Sequence, residues 1–319
     1  MSAVAGAKPL VGISSCLLGQ QVRFDGGHKK DGWITGPLAT FFDFLPVCPE
    51  VGIGLGIPRP TIHLVGDPER PRAVGSKDPS LDVTSRLEDF AKAQLPALQG
   101  LSGYILKGKS PSCGMARVPV TSPKGMPAKV GVGIYARVLM ERMPLLPVEE
   151  EGRLNDAVLR ENFVTRVYVL HRWQQLRAER VTAAKLIDFH SRQKYLVMAH
   201  SQAAYQRLGQ MLSHLKGVDL EAVADMYVAE LMTTLARRVT RKRHVNVLHH
   251  IMGYLKDYID AGDKAELIAS IEAYRREEVA LVVPITLLRH HLRRHPDPYM
   301  EKQVYLAPHP EKLALRGGI

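Results

Sequence analysis

Three thiols are all this 319-residue chain has, Cys16, Cys48 and Cys113, and all lie in its first 113 positions. Each comes after a short apolar stretch: Cys16 after Val11-Gly-Ile-Ser-Ser, Cys48 after Phe44-Leu-Pro-Val, and Cys113 in the segment that follows Gly103-Tyr-Ile-Leu. If those stretches are strands of one open sheet, ligands bind in the crevice beyond their carboxyl ends, where thiols far apart in sequence converge. Cysteine is also commonly buried without any function, and spacing alone leaves that reading open. Local sequence favours use: Cys48-Pro-Glu50 and Ser110-Pro-Ser-Cys113-Gly114 set two of the thiols in turns. Thiolates suit zinc or iron–sulfur clusters. The paired C-x(2–4)-C spacing of a structural zinc site is absent, and so is the closely spaced triplet of radical enzymes. Three distant cysteines with no fourth would leave a cubane cluster one iron without a protein ligand, an open Lewis-acid position.

A second pattern is misleading. Gly103-Tyr-Ile-Leu-Lys-Gly108-Lys109-Ser110 satisfies the phosphate-loop spacing G-x-x-x-x-G-K-S. In that motif the middle residues wrap a phosphate and a helix follows. Here Tyr-Ile-Leu reads as the strand itself and Pro-Ser-Cys-Gly follows the serine, so a nucleotide triphosphatase is not expected.

The elements that must position these residues divide the chain in two. Leu10–Ser14, Phe44–Val47 and Gly103–Leu106 read as buried strands, and Thr84–Leu98 as a helix between them. Alternating strands and helices imply an α/β domain with a mainly parallel sheet. The Gly/Pro-rich stretches 19–36, 49–81 and 108–130 are expected to be functional loops. The second half reads as an all-α helical domain, with helices over about 153–178, 181–191, 195–215, 219–239, 244–260, 263–279 and 284–294. Asp219 and Asp263 are expected N-caps, with Gly217 and Gly262 as stops. The seam is expected in Met143–Gly152, where two prolines and an acidic run intervene, giving domains 1–147 and 148–319.

Composition narrows the class. An apolar fraction of 45% and a charged fraction of 24% describe a folded globular protein. No apolar run approaches the roughly 20 residues of a bilayer span, no secretory leader is evident, and three cysteines suit a reducing cytoplasm. A cytoplasmic protein with no membrane association and no obligatory protein partner is therefore expected.

Several separated motifs resemble the thiouracil desulfidase (TudS) family. They are Ser14-Ser-Cys16-Leu-Leu-Gly, Val22-Arg-Phe-Asp-Gly26, Cys48-Pro-Glu50 with Gly56-Ile-Pro-Arg59-Pro, and Lys107-Gly-Lys-Ser110-Pro-Ser-Cys113-Gly. The resemblance covers about residues 8–145. The second half resembles YbgA-like helical domains in Lys194-Tyr-Leu-Val-Met-Ala-His200, Val247–Lys256, Pro284–Arg289 and Gln303–Pro308. The fusion is similar to RudS-type proteins, which implies removal of sulfur from 4-thiouridine in tRNA. It also implies that Cys16, Cys48 and Cys113 hold a 4Fe–4S cluster and that Glu50 and Ser110 are catalytic. The free iron would take the soft thiocarbonyl sulfur while water attacks the ring carbon. Glu50 serves as general base or proton donor, and Ser110 orients the water or the base or relays a proton. By this resemblance sulfur would pass to the cluster and leave as hydrosulfide, without net oxidation. Lys107, Lys109 and Arg59 are candidate substrate contacts; for the lysines, simple solvation is the alternative.

A small thiobase needs only the first domain. Residues 1–150 hold 17 basic and 13 acidic side chains, and the remainder 26 and 19. The excess concentrates at Arg237-Arg-Val-Thr-Arg-Lys-Arg243, where Arg237, Arg238, Arg241 and Lys242 fall in an arc of about 140° on a helix, with Arg243 beside them. Such a stripe tracks the phosphates of a tRNA partner, although a solvated helix face explains the same charges. The paired histidines His249-His250 and His290-His291 point about 100° apart and suit helix ends or RNA better than a second metal. Tyr195, Tyr205, Tyr254, Tyr258 and Tyr274 read first as bundle core. The rival readings are a desulfidase of free thiobases such as 2-thiouracil, and a non-catalytic iron–sulfur RNA-binding regulator.

Overall fold

The computed structural model describes residues 7–122 and 125–317, and the chain divides into two compact units, Met1–Asp156 and Ala157–Ile319. The seam expected at 147/148 falls inside the first unit, because residues 148–150 are a strand of its sheet.

The first unit is mixed α/β. In chain order its main elements are β1 (Leu10–Ser14), β2 (Asp43–Val47), β3 (Ile62–Val65), β4 (Arg72–Gly75), α1 (Thr84–Leu98), β5 (Gly103–Leu106), β6 (Val118–Thr121), β7 (Pro127–Gly131), α2 (Ile134–Arg142) and β8 (Val148–Glu150). One sheet runs β2–β1–β5–β8 and is wholly parallel. Ile13 is level with Pro46 on one side and Ile105 on the other, so the three strands end together and their following segments leave from one edge. Val11, Ile13, Tyr104, Ile105 and Leu106 are fully buried, the both-faced burial of central parallel strands.

The second sheet, β4–β3–β6–β7, lies within two of the segments expected to be loops. Only β3–β6 is parallel; β3–β4 and β6–β7 are antiparallel. Its prolines hid it. Pro119 sits at a register shift and Pro127 opens its strand, the places where a sheet tolerates proline. Leu64, Ala73, Val118 and Val120 pack with Leu87 of α1 and Ile134 of α2 into one core.

The second unit is a helical bundle: α3 (Ala157–Arg177), α4 (Ala183–His200), α5 (Gln202–Met211), α6 (Leu220–Leu235), α7 (Arg241–Met252), α8 (Ala261–Arg275) and α9 (Val282–Arg294), followed by short turns. Trp173 of α3 meets Phe189 of α4 edge-on at 5.2 Å and stacks on Tyr227 of α6 at 5.6 Å, contacts that fix how the three helices pack. Asp219 caps α6 as expected, accepting from the Glu221 and Ala222 amides. Asp260, not Asp263, caps α8, and Gly262 lies inside its first turn instead of ending a helix. The tyrosines divide: Tyr195 and Tyr274 are core, whereas Tyr258 is 65% exposed. Among the described residues, no helix is long and apolar enough to cross a membrane.

Candidate active site

The carboxyl ends of β2, β1 and β5 open onto a cavity of about 340 Å³, and Cys16, Cys48 and Cys113 all line it. Glu50, Arg59, Lys107, Lys109 and Ser110 line the same cavity. Every site residue expected in the first half is thus brought together.

Local chemistry sets each one. Cys16 sits in a single tight turn after β1, which Gly19 ends at φ 92°, a left-handed conformation glycine adopts without strain. Cys48 is the N-cap of the one-turn helix Pro49–Gly52, with Pro49 at the first position. Cys113 rides on turns, and no helix follows β5, so the phosphate-loop pattern is a coincidence of letters. The Ser110 Oγ accepts hydrogen bonds from the Ser112 amide (3.2 Å) and the Cys113 amide (3.1 Å). With its oxygen so engaged, the hydroxyl has its proton to give. Gly133 lies so close behind this turn that a Cβ there would stand 2.6 Å from the Ser112 carbonyl carbon and oxygen.

Glu50 is held at both oxygens. Arg59 donates to Oε2 from Nε and Nη2, each at 2.8 Å, and the Ser112 hydroxyl donates to Oε1 at 2.8 Å. Arg59 also donates to the Gly56 carbonyl and its side chain is 3% exposed. It therefore orients Glu50 more directly than it could grip a substrate. Arg59 and Ser112 together fix the orientation of the Glu50 carboxyl group at the cavity, as a positioned general base requires. Ser112 was not singled out in the sequence, although it stands inside the Ser110-Pro-Ser-Cys113 motif.

The acidic run read as part of a linker is a clamp on this loop. Glu150 ends β8, and its Oε1 accepts from the Met115 amide at 2.8 Å. The adjacent Glu151 accepts from the Gly108 amide at 2.7 Å and pairs with the Lys107 ammonium. The Lys107 amide in turn donates to Ser14 Oγ at 2.9 Å. Lys107 is thus engaged by the protein itself, while Lys109 is exposed at the cavity with φ 61°. A non-glycine residue in that region is strained, and such strain concentrates at functional loops.

Burial pushes all three thiols up. Cys16 rises to about 11, with Cys48 adding and Lys107 opposing. Cys48 rises against the Val51 amide, with Glu50 adding. Cys113 rises with Glu50 adding and a Ser14 hydrogen bond opposing. A group bound through these three thiolates would have to expel their protons. Among the described residues, no three His, Cys, Asp or Glu side chains close on a single metal ion. A cluster makes a different demand, because its cysteines bind separate irons. The donor set and cavity fit that larger group.

In the second unit, the expected basic stripe does not lie on one helix. The α6 helix ends at Leu235 and α7 starts at Arg241, so Arg237 and Arg238 belong to the link while Arg241, Lys242 and Arg243 form a first turn. The helical arc assumed a continuity that the residues around Val239-Thr240 break. Arg241 is tied to Glu277 and the Tyr274 carbonyl, and Arg243 donates to the His200 carbonyl at 2.6 Å. Arg237, Arg238 and Lys242 are exposed.

Residues 11–151 match a family described as 2-thiouracil desulfurase, and residues 194–310 match one described as a protein of unknown function, DUF1722. The chain is 30% identical over 157 residues to the uncharacterized protein YbgA of Escherichia coli strain K12, spanning 49% of this chain and 93% of that one. Among solved structures, a 4Fe–4S-dependent thiouracil desulfidase TudS is 31% identical across 49% of this chain and 100% of its own, with a TM-score of 0.39.

Proposed function

For a chain that belongs to the YbgA family through its helical half and joins that half to a 2-thiouracil-desulfurase-like domain, we propose hydrolytic removal of sulfur from thiouracil-type bases. The observation that carries this reading is the convergence of three thiols, Glu50 and Ser110 on one cavity at the ends of adjacent parallel strands. When bound, a 4Fe–4S cluster on Cys16, Cys48 and Cys113 supplies a soft Lewis acid for a thiocarbonyl sulfur. Glu50, fixed by Arg59 and Ser112, takes the proton of the attacking water. Ser110 gives its hydrogen bond to the attacking water or the base, its oxygen being engaged by two amides. The thiocarbonyl and water become a carbonyl and hydrosulfide with no electron transferred. Three free thiols support a reducing compartment, such as the cytoplasm, for this chemistry.

Protein purified without air and loaded with iron and sulfide tests this reading, with 2-thiouracil followed by its absorbance. We expect about four irons and four sulfides per chain and loss of the thiobase signal with hydrosulfide released. Turnover by iron-free protein would end the cluster reading. A loaded protein that turns over no thiobase, free or in RNA, would leave the regulator reading instead.

The second reading takes 4-thiouridine within tRNA as the substrate, and exposed Arg237, Arg238 and Lys242 favour it. These cations supply the sequence-independent attraction that a polyanion needs, and the target nucleotide would have to leave its stack to reach the cavity. Thiolated tRNA and free base, offered to the same preparation, separate the two readings.

A further inference from the structure

The helical unit contains a second hollow, of about 40 Å³, room for about three waters at ~10–15 Å³ each. Its walls include Glu161 and Thr165 of α3, His200 of α4, Arg238 of the link, His244 of α7 and Arg316 of the turn Leu315–Gly317.

Two arginines and one carboxylate line the hollow. Arg316 is 9% exposed, pairs with Glu161 at 2.7 Å and donates to the Tyr305 carbonyl at 2.7 Å. That pair neutralises the carboxylate lining the hollow. Arg243 donates to the His200 carbonyl from α7, and Arg166 of α3 also acts on His200. Among the described residues, Arg238 has no ion pair or hydrogen bond of its own, and it is exposed.

The histidines narrow the ligand. His200 Nδ1 lies 2.9 Å from the Leu196 carbonyl, so Nδ1 donates there and the neutral ring offers the cavity the lone pair of Nε2. Burial, reinforced by Arg166, Arg243 and Arg316 and opposed by the Leu196 bond, holds His200 at about 4. His244, whose Nδ1 is 2.8 Å from the Tyr305 hydroxyl, is also held well below its ordinary value, by burial first and then Arg316, His200 and Arg241. A fully deprotonated oxyanion suits the arginines but not an accepting imidazole nitrogen. An oxyanion that keeps a proton suits both.

We propose that this cavity binds a phosphate group bearing a P–OH, as hydrogen phosphate or a phosphate monoester, with charged oxygens on Arg238 and Arg316 and the hydroxyl donated to His200 Nε2. Hydrogen phosphate carries a P–OH throughout the neutral range, and a phosphate monoester, with a second pKa of about 6, keeps a minor protonated fraction there. The site is independent of the desulfurisation chemistry and is tested by binding alone.

The full chain, with ¹⁵N-labelled histidines, is titrated with inorganic phosphate and separately with sulfate, a tetrahedral oxyanion without a proton to donate. Phosphate is expected to move the ring signals of His200 and His244 while leaving exposed His249 and His250 in place, and sulfate to bind at least about tenfold more weakly. Arg238→Glu, checked for an unchanged melting curve, should weaken phosphate by about tenfold or more, and Arg238→Lys should retain most of it. Sulfate equal to phosphate, a silent His200, or unaltered binding in Arg238→Glu overturns the proposal. Oligoribonucleotides then distinguish the source. Displacement of phosphate by a 5′-phosphorylated oligomer but not by its 5′-hydroxyl twin supports an RNA terminus. Displacement by neither supports a free phosphorylated metabolite. Equal displacement by both points to backbone diesters, which have no P–OH, and overturns the proposal.

Discussion

The two cavities are built from opposite materials. In the first unit, loops at strand ends carry three thiols, and burial drives their pKa values up. In the second, helices, a link and a terminal turn carry two histidines among arginines, and burial drives their pKa values down. Desolvation disfavours the charged form in both, so each set of groups stays neutral until a ligand arrives. The group proposed for the thiols is cationic, and the one proposed beside the arginines is anionic. One physical effect therefore acts in two hollows whose proposed ligands are of opposite sign.

The largest expected effect tests whether the first cavity is chemical and not merely a ligand cage. Glu50→Gln keeps the shape but removes the base, and turnover of 2-thiouracil should fall by about 10²–10⁴-fold with iron content unchanged. Unchanged turnover would leave the first cavity a holder of a cluster and nothing more. The next test contrasts the answers of the two cavities to pH. Loading the first requires three raised thiols to give up protons, so iron and sulfide uptake by the metal-free protein should be far more complete at about pH 8 than at about pH 6. Equal uptake at both would mean that the thiols are not the ligands. Phosphate binding in the second unit should not be lost at the lower pH.

Charge reversal at Arg237 and Lys242 probes the helical unit's role in substrate choice. It should reduce turnover of thiolated tRNA by about tenfold, flatten its salt dependence, and cost the free base far less. Equal losses on both substrates would make that corner structural. The smallest effect concerns packing. Gly133→Ala drives a methyl into the Ser112 backbone and should cost about 1–3 kcal/mol, read as a lower melting temperature, with reduced cluster retention in the first unit only.

Much of the first site could be read from the sequence because its residues stand in short local motifs. β1, β5 and α1 begin and end where apolar patterning puts them, since both-faced burial leaves a continuous apolar run. The second sheet escaped because its strands are short, two of them carry proline, and the pairing that joins its two hairpins, β3 with β6, is distant in sequence. Glu150 and Glu151 read as part of the seam between domains for a related reason. Nothing local says that a carboxylate will accept amides from a loop some 40 positions earlier, although acidic residues closing a strand beside the site are a usable signal. The basic stripe failed because a helical arc was drawn through a break between two helices.

The three cysteines come from three different strand ends, and that dictates an order of events. While the chain is being synthesised, residues 16, 48 and 113 have no reason to be neighbours; only pairing of β2, β1 and β5 makes them so. Parallel pairings of this kind form late, after long loops have closed. The first unit must therefore fold before a cluster could be delivered to it, and a donor of iron and sulfide would meet a folded surface with an open mouth. A cluster lost to oxygen would then leave a completed scaffold, one that could be refilled without being made again.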